Sequence, residues 1–145
     1  MIDQKTPFDA YAAIEQLYFA YRAFTDRADS ILAERGLGRV HHRILYFVGR
    51  KPGIAVNALL ETLQVSKQAL NGPLRQLVAE GLVEIAVGQH DRRVRELSLT
   101  AHGRALETIL TSTQIAHVTA AFEAVGESDA AGWRRMMAAI ASPPA

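Results

Sequence analysis

At 145 residues, with 49% hydrophobic and 21% charged side chains, the chain has the length of one domain and the apolar material for one core. The absence of cysteine excludes disulfides, thiolate metal sites and thiol redox sensing. A net charge of +1 names no partner, no apolar run reaches the roughly 18 residues of a membrane span, and the opening MIDQKTPFDAY lacks the apolar core of a secretion signal. The expectation is a cytoplasmic protein.

From Pro7 to about Arg35, Tyr11, Ile14, Leu17, Tyr18, Tyr21, Phe24, Ala28 and Ile31 recur at spacings of three and four, which predicts one long helix. Pro7 suits its first turn, where no backbone N–H is needed, and Gly36 ends it. The aromatic stripe reads as core and helix-pairing surface; the alternative is the wall of a ligand pocket. A second helix is expected over about Val40–Arg50, with Val40, Ile44, Leu45, Phe47 and Val48 inward, closed by Pro52-Gly53. His41 and His42 are adjacent, so on a helix they diverge by about 100°. His90, His102 and His117 are scattered, and no H-x3-H or HExxH spacing occurs. Neither a metal nor a cofactor is expected.

The stretch Ala55–Thr100 carries the organisation of the chain. Ile54–Val56 reads as a short strand. About Asn57–Leu63 reads as a helix packing Leu59, Leu60 and Leu63, and Val65 as a buried residue fixing the turn after it. Ser66 is placed to N-cap the next helix, about Ser66–Glu80, in which Ala69, Leu70, Leu74, Leu77 and Val78 repeat. Gly72-Pro73 interrupts that helix. Proline removes a hydrogen bond and clashes with the carbonyl of Ala69, at about 3 kcal/mol in a regular helix. The expectation is a kinked helix; the competing reading is two short ones. LVEIAV over 82–87 and VRELSL over 94–99 alternate nearly as half-buried strands do, around a polar tip, Gly88–Arg93. Thr100 caps a helix of about Ala101–Ala124, Gly126-Glu127-Ser128 breaks it, and about Asp129–Ala141 forms the last helix, with Trp133, Met136, Met137 and Ile140. The tail from Ser142 is expected to be loose. Helix, tight turn, helix and ribbon is the order of a winged helix-turn-helix, so the fold class is mainly α with a small β-ribbon.

Two sets of residues suit that unit. Lys67, Gln68, Asn71 and Arg75 fall on the outward face of the second helix of the pair. Lys67 offers a phosphate contact, Gln68 and Asn71 the bidentate pairing with adenine, and Arg75 a clamp for phosphate or guanine. Ser66 adds a hydroxyl at the helix N-terminus, where phosphates bind. The plainer reading is a solvated helix face. At the ribbon tip, Asp91 stands two residues before Arg93 and can hold its guanidinium in a bidentate pair, aiming it in advance. Arg93 then suits the narrow, electronegative minor groove of A·T-rich DNA, with Arg92 and Arg95 near the flanking phosphates. The plainer reading is a solvated hairpin with one weak salt bridge. Residues 66–95 hold five cationic side chains against three acidic ones, and local positive charge, not global pI, is what a phosphate backbone requires.

Residues 36–106 resemble the MarR family of bacterial transcriptional regulators. The marks are a helix ending before Pro52-Gly53, the Leu59/Leu63 helix, Ser66 opening the next, the exit Leu77…Glu80-Gly81-Leu82-Val83, the Asp91-x-Arg93 wing, and Leu99-Thr100-x-x-Gly103. The resemblance implies one domain over 1–145: a winged helix-turn-helix core at 37–100, with 1–35 and 101–145 as dimerisation helices. It implies a homodimer burying Phe8, Tyr11, Ile14 and the stripe from Ile115 to Ile140. It also implies binding to a pseudo-palindromic double-stranded operator, with Arg93 in the minor groove, and release by a small aromatic or phenolic effector. Tyr18, Tyr21, His41, His42, Arg43 and Tyr46 are candidates for the effector pocket, although ordinary packing accounts for them equally. Gly72-Pro73 departs from the family pattern. The reading is a dimeric regulator, a repressor, with two recognition helices about one turn of DNA apart, roughly 34–36 Å. The alternative is a ligand- or partner-binding winged-helix dimer without sequence-specific DNA reading. No nucleophile–base–orienter set, carboxylate pair or phosphate loop supports an enzyme.

Overall fold

The computed structural model describes residues 9–142; the expected helix start at Pro7, the Phe8 contact and the tail from Pro143 lie outside the described residues. The elements are α1 (Ala10–Ala33), α2 (Arg39–Arg50), β1 (Ile54–Ala55), α3 (Val56–Leu63), α4 (Lys67–Ala79), β2 (Val83–Val87), β3 (Arg95–Leu99), α5 (Ala101–Val125) and α6 (Glu127–Ala141). Asp9 caps α1, its carboxylate accepting the Ala12 N–H at 3.1 Å. Two compact units are formed, one from residues 25–112 and one from the terminal segments up to 24 and from 113 onward.

The 25–112 unit contains the core. Leu32, Ile44, Leu45, Val48, Leu59, Leu70, Leu77, Leu82, Leu97 and Leu110 are essentially inaccessible. The pattern follows helical geometry: Leu70, Leu74 and Leu77 recur at four and three on α4, and Ile44 and Val48 lie one turn apart on α2. The sheet is antiparallel, in the order β1-β3-β2, with Ile54 opposite Leu97 and Val83 opposite Leu99. Gly81, at φ +73°, ends α4: its N–H reaches Val78 C=O and that of Leu82 reaches Leu77 C=O, the paired closure that favours glycine at this position. At the start of α5, Thr100 Oγ1 donates to Gly81 C=O (2.6 Å) and accepts the Gly103 N–H (3.0 Å). Gly103 lies so close to the Leu82 carbonyl that a Cβ there would overlap it.

Four expectations are corrected. Val65 is 38% exposed, not buried. The turn is closed by backbone instead: Gln64 adopts the left-handed conformation (φ +55°) and the Val65 N–H bonds Leu60 C=O. Val40 is 37% exposed and lines a cleft, while Leu37 and His42 are buried; the first turn of α2 lies at the margin of the core, so helical spacing there does not imply burial. The strand reading of 82–87 holds, but its alternation does not: only Val83 of β2 is buried, because β2 is an outer strand of the sheet, and Ile85 is exposed even though Leu97 opposite it on the central strand is buried. The interruption near 126 is also narrower than expected, with α6 beginning at Glu127 directly after Gly126.

In the terminal unit, Phe122 and Trp133 meet edge-to-face at 5.2 Å, and Ala130 is buried. An apolar cavity of about 580 Å³ is lined by Leu17, Tyr21, Phe24, Phe122, Trp133 and Met137, among others. Tyr11 is 80% exposed, and Ile14, Ile115, Met136 and Ile140 are exposed as well.

Candidate nucleic-acid interface

α4 begins with a complete cap. Ser66 is extended (φ −75°, ψ 157°), and its Oγ accepts the Ala69 N–H at 3.1 Å. That bond uses an acceptor position and leaves the hydroxyl proton for a phosphate oxygen. Leu70, Leu74 and Leu77 turn one side of α4 into the core, so Lys67, Gln68, Asn71 and Arg75 are exposed on the other. Lys67 and Arg75 take part in no ion pair among the described residues. Pro73 lies inside one continuous helix, not between two: the three buried leucines hold both halves to the same core.

At the tip of the β2–β3 ribbon, Gly88 N–H bonds Val94 C=O (2.9 Å), and Val94 N–H bonds Asp91 C=O (3.0 Å). Within this tight loop the Asp91 carboxylate takes three bonds from one residue. The Arg93 backbone N–H donates to Oδ1 at 3.0 Å, its Nε–H to Oδ1 at 3.1 Å, and its Nη2 to Oδ2 at 3.1 Å. The expected bidentate pair is therefore present. The side-chain bonds from Arg93, then its backbone N–H, hold the Asp91 carboxyl below the usual carboxylate range, and Asp91 strengthens the charge on Arg93 in return. The Arg93 side chain is nonetheless 90% exposed. Arg92 and Arg95 are exposed beside it, with Arg95 Nη1 reaching the Arg92 carbonyl at 3.4 Å.

The candidate pocket residues are placed as follows. Tyr21 lines the apolar cavity of the terminal unit, and Tyr18 packs edge-on against Phe19 with Arg22 over its ring. His41 lines a separate cleft of about 540 Å³ with Asp29, Gly38, Arg39, Val40 and Pro73. Tyr46 meets Phe47 edge-on, and Arg43 is exposed. His42 is buried, its Nε2 3.4 Å from Thr111 Oγ1, which donates to Glu107 at 2.5 Å. Desolvation lowers the His42 pKa below its ordinary 6.5, against the opposing pull of Glu107 and Asp29. The two histidines thus diverge, as helical geometry requires.

Sequence reasoning missed Gln76. Its side-chain amide joins three partners: Oε1 meets His41 Nε2 at 2.9 Å, and Nε2 donates to Gly36 C=O at 3.3 Å and to Glu80 at 3.0 Å. A glutamine 35 residues from its histidine partner leaves no local signal.

The MarR family model matches residues 35–94. HTH-type transcriptional regulator PetP of Rhodobacter capsulatus is 44% identical over 130 residues, spanning 90% of this chain and 78% of that protein. The chain belongs to the MarR family. This MarR-family protein is a helix-turn-helix transcriptional regulator, and the matched segment runs from Arg35, in the loop between α1 and α2, through Val94, taking in every site residue on α4 and the wing except Arg95. Its fold is shared with Streptococcus pneumoniae FabT, solved in complex with DNA (TM-score 0.80, 18% identity, 91% of this chain and 94% of that one). It is shared also with NadR, solved in complex with 4-hydroxyphenylacetate (TM-score 0.74, 21% identity, 99% of this chain and all of that one). Among the described residues no helix is long and apolar enough to cross a membrane.

Proposed function

We propose that this regulator acts in the cytoplasm as a homodimer that binds a pseudo-palindromic stretch of double-stranded DNA and represses transcription until a small aromatic or phenolic ligand releases it. The observation that carries the reading is the braced Arg93 at an exposed ribbon tip, on the same chain as a capped helix presenting Lys67, Gln68, Asn71 and Arg75. Holding the guanidinium before binding removes much of the rotamer entropy that a free arginine loses on entering a groove. The exposed apolar residues of the terminal helices support assembly through 1–35 and 101–145, since patches of this kind mark association surfaces. The DNA held by FabT and the phenolic acid held by NadR support the two ligand classes.

The test is selection of bound sequences from random duplex DNA with the purified protein, followed by titration of the recovered duplex. Arg93→Ala is expected to weaken binding about tenfold and to flatten A·T preference at the site edges. Asp91→Ala, which keeps the arginine and removes its brace, is expected to weaken binding less. Equal affinity and an unchanged preference in Arg93→Ala would remove the wing from the interface. Failure to recover any preferred sequence would favour a ligand- or partner-binding dimer.

A further inference from the structure

Gly72-Pro73 leaves the recognition helix with a defect that its own backbone does not repair. Proline has no N–H for the Ala69 carbonyl, so the turns before and after it share one bond fewer. Three residues beyond the proline stands Gln76, and its amide is held from outside the helix by His41 and the Gly36 carbonyl.

The polarity of that arrangement is fixed. The Gly38 N–H can only donate, and it lies 2.9 Å from His41 Nδ1, so Nδ1 carries a lone pair. The proton of the neutral ring is then on Nε2, which donates to Gln76 Oε1. The Gln76 amide nitrogen in turn donates to Gly36 C=O and the Glu80 carboxylate. The bonds form a closed circuit: from the loop between α1 and α2, through His41, through the recognition helix, and back to the loop. Every position in it is matched by one tautomer of one protonation state.

A second proton on His41 would go to Nδ1 and set two donors against each other across the bond from Gly38. Of the charged groups near the ring, Asp29 of α1 and Arg39 of α2 line the same cleft, paired with each other at 2.9 Å, and Glu80, the C-cap of α4, shares Gln76. An imidazole also changes charge within the physiological range.

We propose that neutral His41 and Gln76 are positioning residues for DNA reading: they set the part of the recognition helix beyond Pro73, and protonation of His41 loosens it and weakens DNA binding in mild acid. This rests on the DNA-binding reading above. The test uses the full-length protein and the duplex it selects from random DNA at about pH 8, with affinities measured there and at about pH 5.5. The parent is expected to lose about tenfold more affinity across that interval than His41→Asn, which does not titrate, or Gln76→Leu, which has no amide to hold. Ring-nitrogen NMR of the parent at about pH 8 is expected to show His41 protonated at Nε2 and bare at Nδ1. That measurement, read with the parent's own loss of affinity between the two pH values, tests the proposal even if a variant fails to fold. Equal pH dependence in all three proteins, or a ring protonated at Nδ1, overturns the proposal and leaves DNA binding standing. Recovery of no preferred duplex at about pH 8 overturns the DNA-binding reading, and this proposal with it.

Discussion

Residues 25–112 hold every member of the leucine-rich core cluster, whereas in the terminal unit Ala130 is the one buried apolar residue among those described. Both segments are rich in apolar residues at helical spacing. In one, residues from five helices and a sheet come together. In the other, Tyr11, Ile14, Ile115, Met136 and Ile140 remain open to water. An amphipathic pattern specifies a face to be covered but not what covers it. The first unit has the contents of an independent core. The second has the exposed stripe that the proposed dimer would cover, so damage to the two should be read in different assays.

The largest effect is expected where the first unit is packed without slack. Gly103→Ala places a Cβ against the Leu82 carbonyl, with backbone on both sides and no flexible side chain to give way. It should destabilise by about 3 kcal/mol or more, read as a drop in the urea midpoint at unchanged slope. A near-neutral result would mean that the α5–β2 junction yields. Next comes the exposed stripe. Ile14→Asp should leave the unfolding slope of the 25–112 core unchanged but weaken self-association about a hundredfold, measured by sedimentation over a concentration series. Loss of core stability with association intact would reverse the division of labour between the two units.

A smaller effect belongs to the recognition helix. An added Cβ at Gly72 meets no atom within 4 Å, so Gly72→Ala should stabilise by up to about 1 kcal/mol through helix propensity alone. Destabilisation would show that Pro73 needs the latitude of its neighbour. The smallest effect is expected from His42. Its folded pKa lies below the ordinary 6.5, so as pH falls through that value the unfolded chain takes up a proton that the folded chain does not. Stability is then fully present above about 6.5 and declines below it. Urea midpoints on either side of neutrality should show this slope, and His42→Gln should reduce it.

The helices were legible because their apolar residues repeat over three or more turns, and the wing because Asp91 and Arg93 are two residues apart, a distance at which local chemistry determines the contact. What escaped the sequence depends on residues distant along the chain. Val65 looks like a core residue until Gln64 is seen to close the turn through its backbone. Gly103 could be recognised as a family mark, but its reason, the Leu82 carbonyl beside it, lies twenty-one residues upstream. Likewise nothing local couples His41 to Gln76, and nothing in the alternation of 82–87 indicates that β2 is an outer strand exposed after Val83.

The brace on Arg93 has a cost in vocabulary. A guanidinium carries five N–H bonds, and Asp91 already engages the one on Nε and one of the pair on Nη2. The planar fork that would grip a guanine edge is therefore turned toward its own carboxylate. Three N–H bonds remain outward on a concentrated positive charge, and in the DNA-binding role proposed above that charge would sense how narrow a groove is rather than which letters line it.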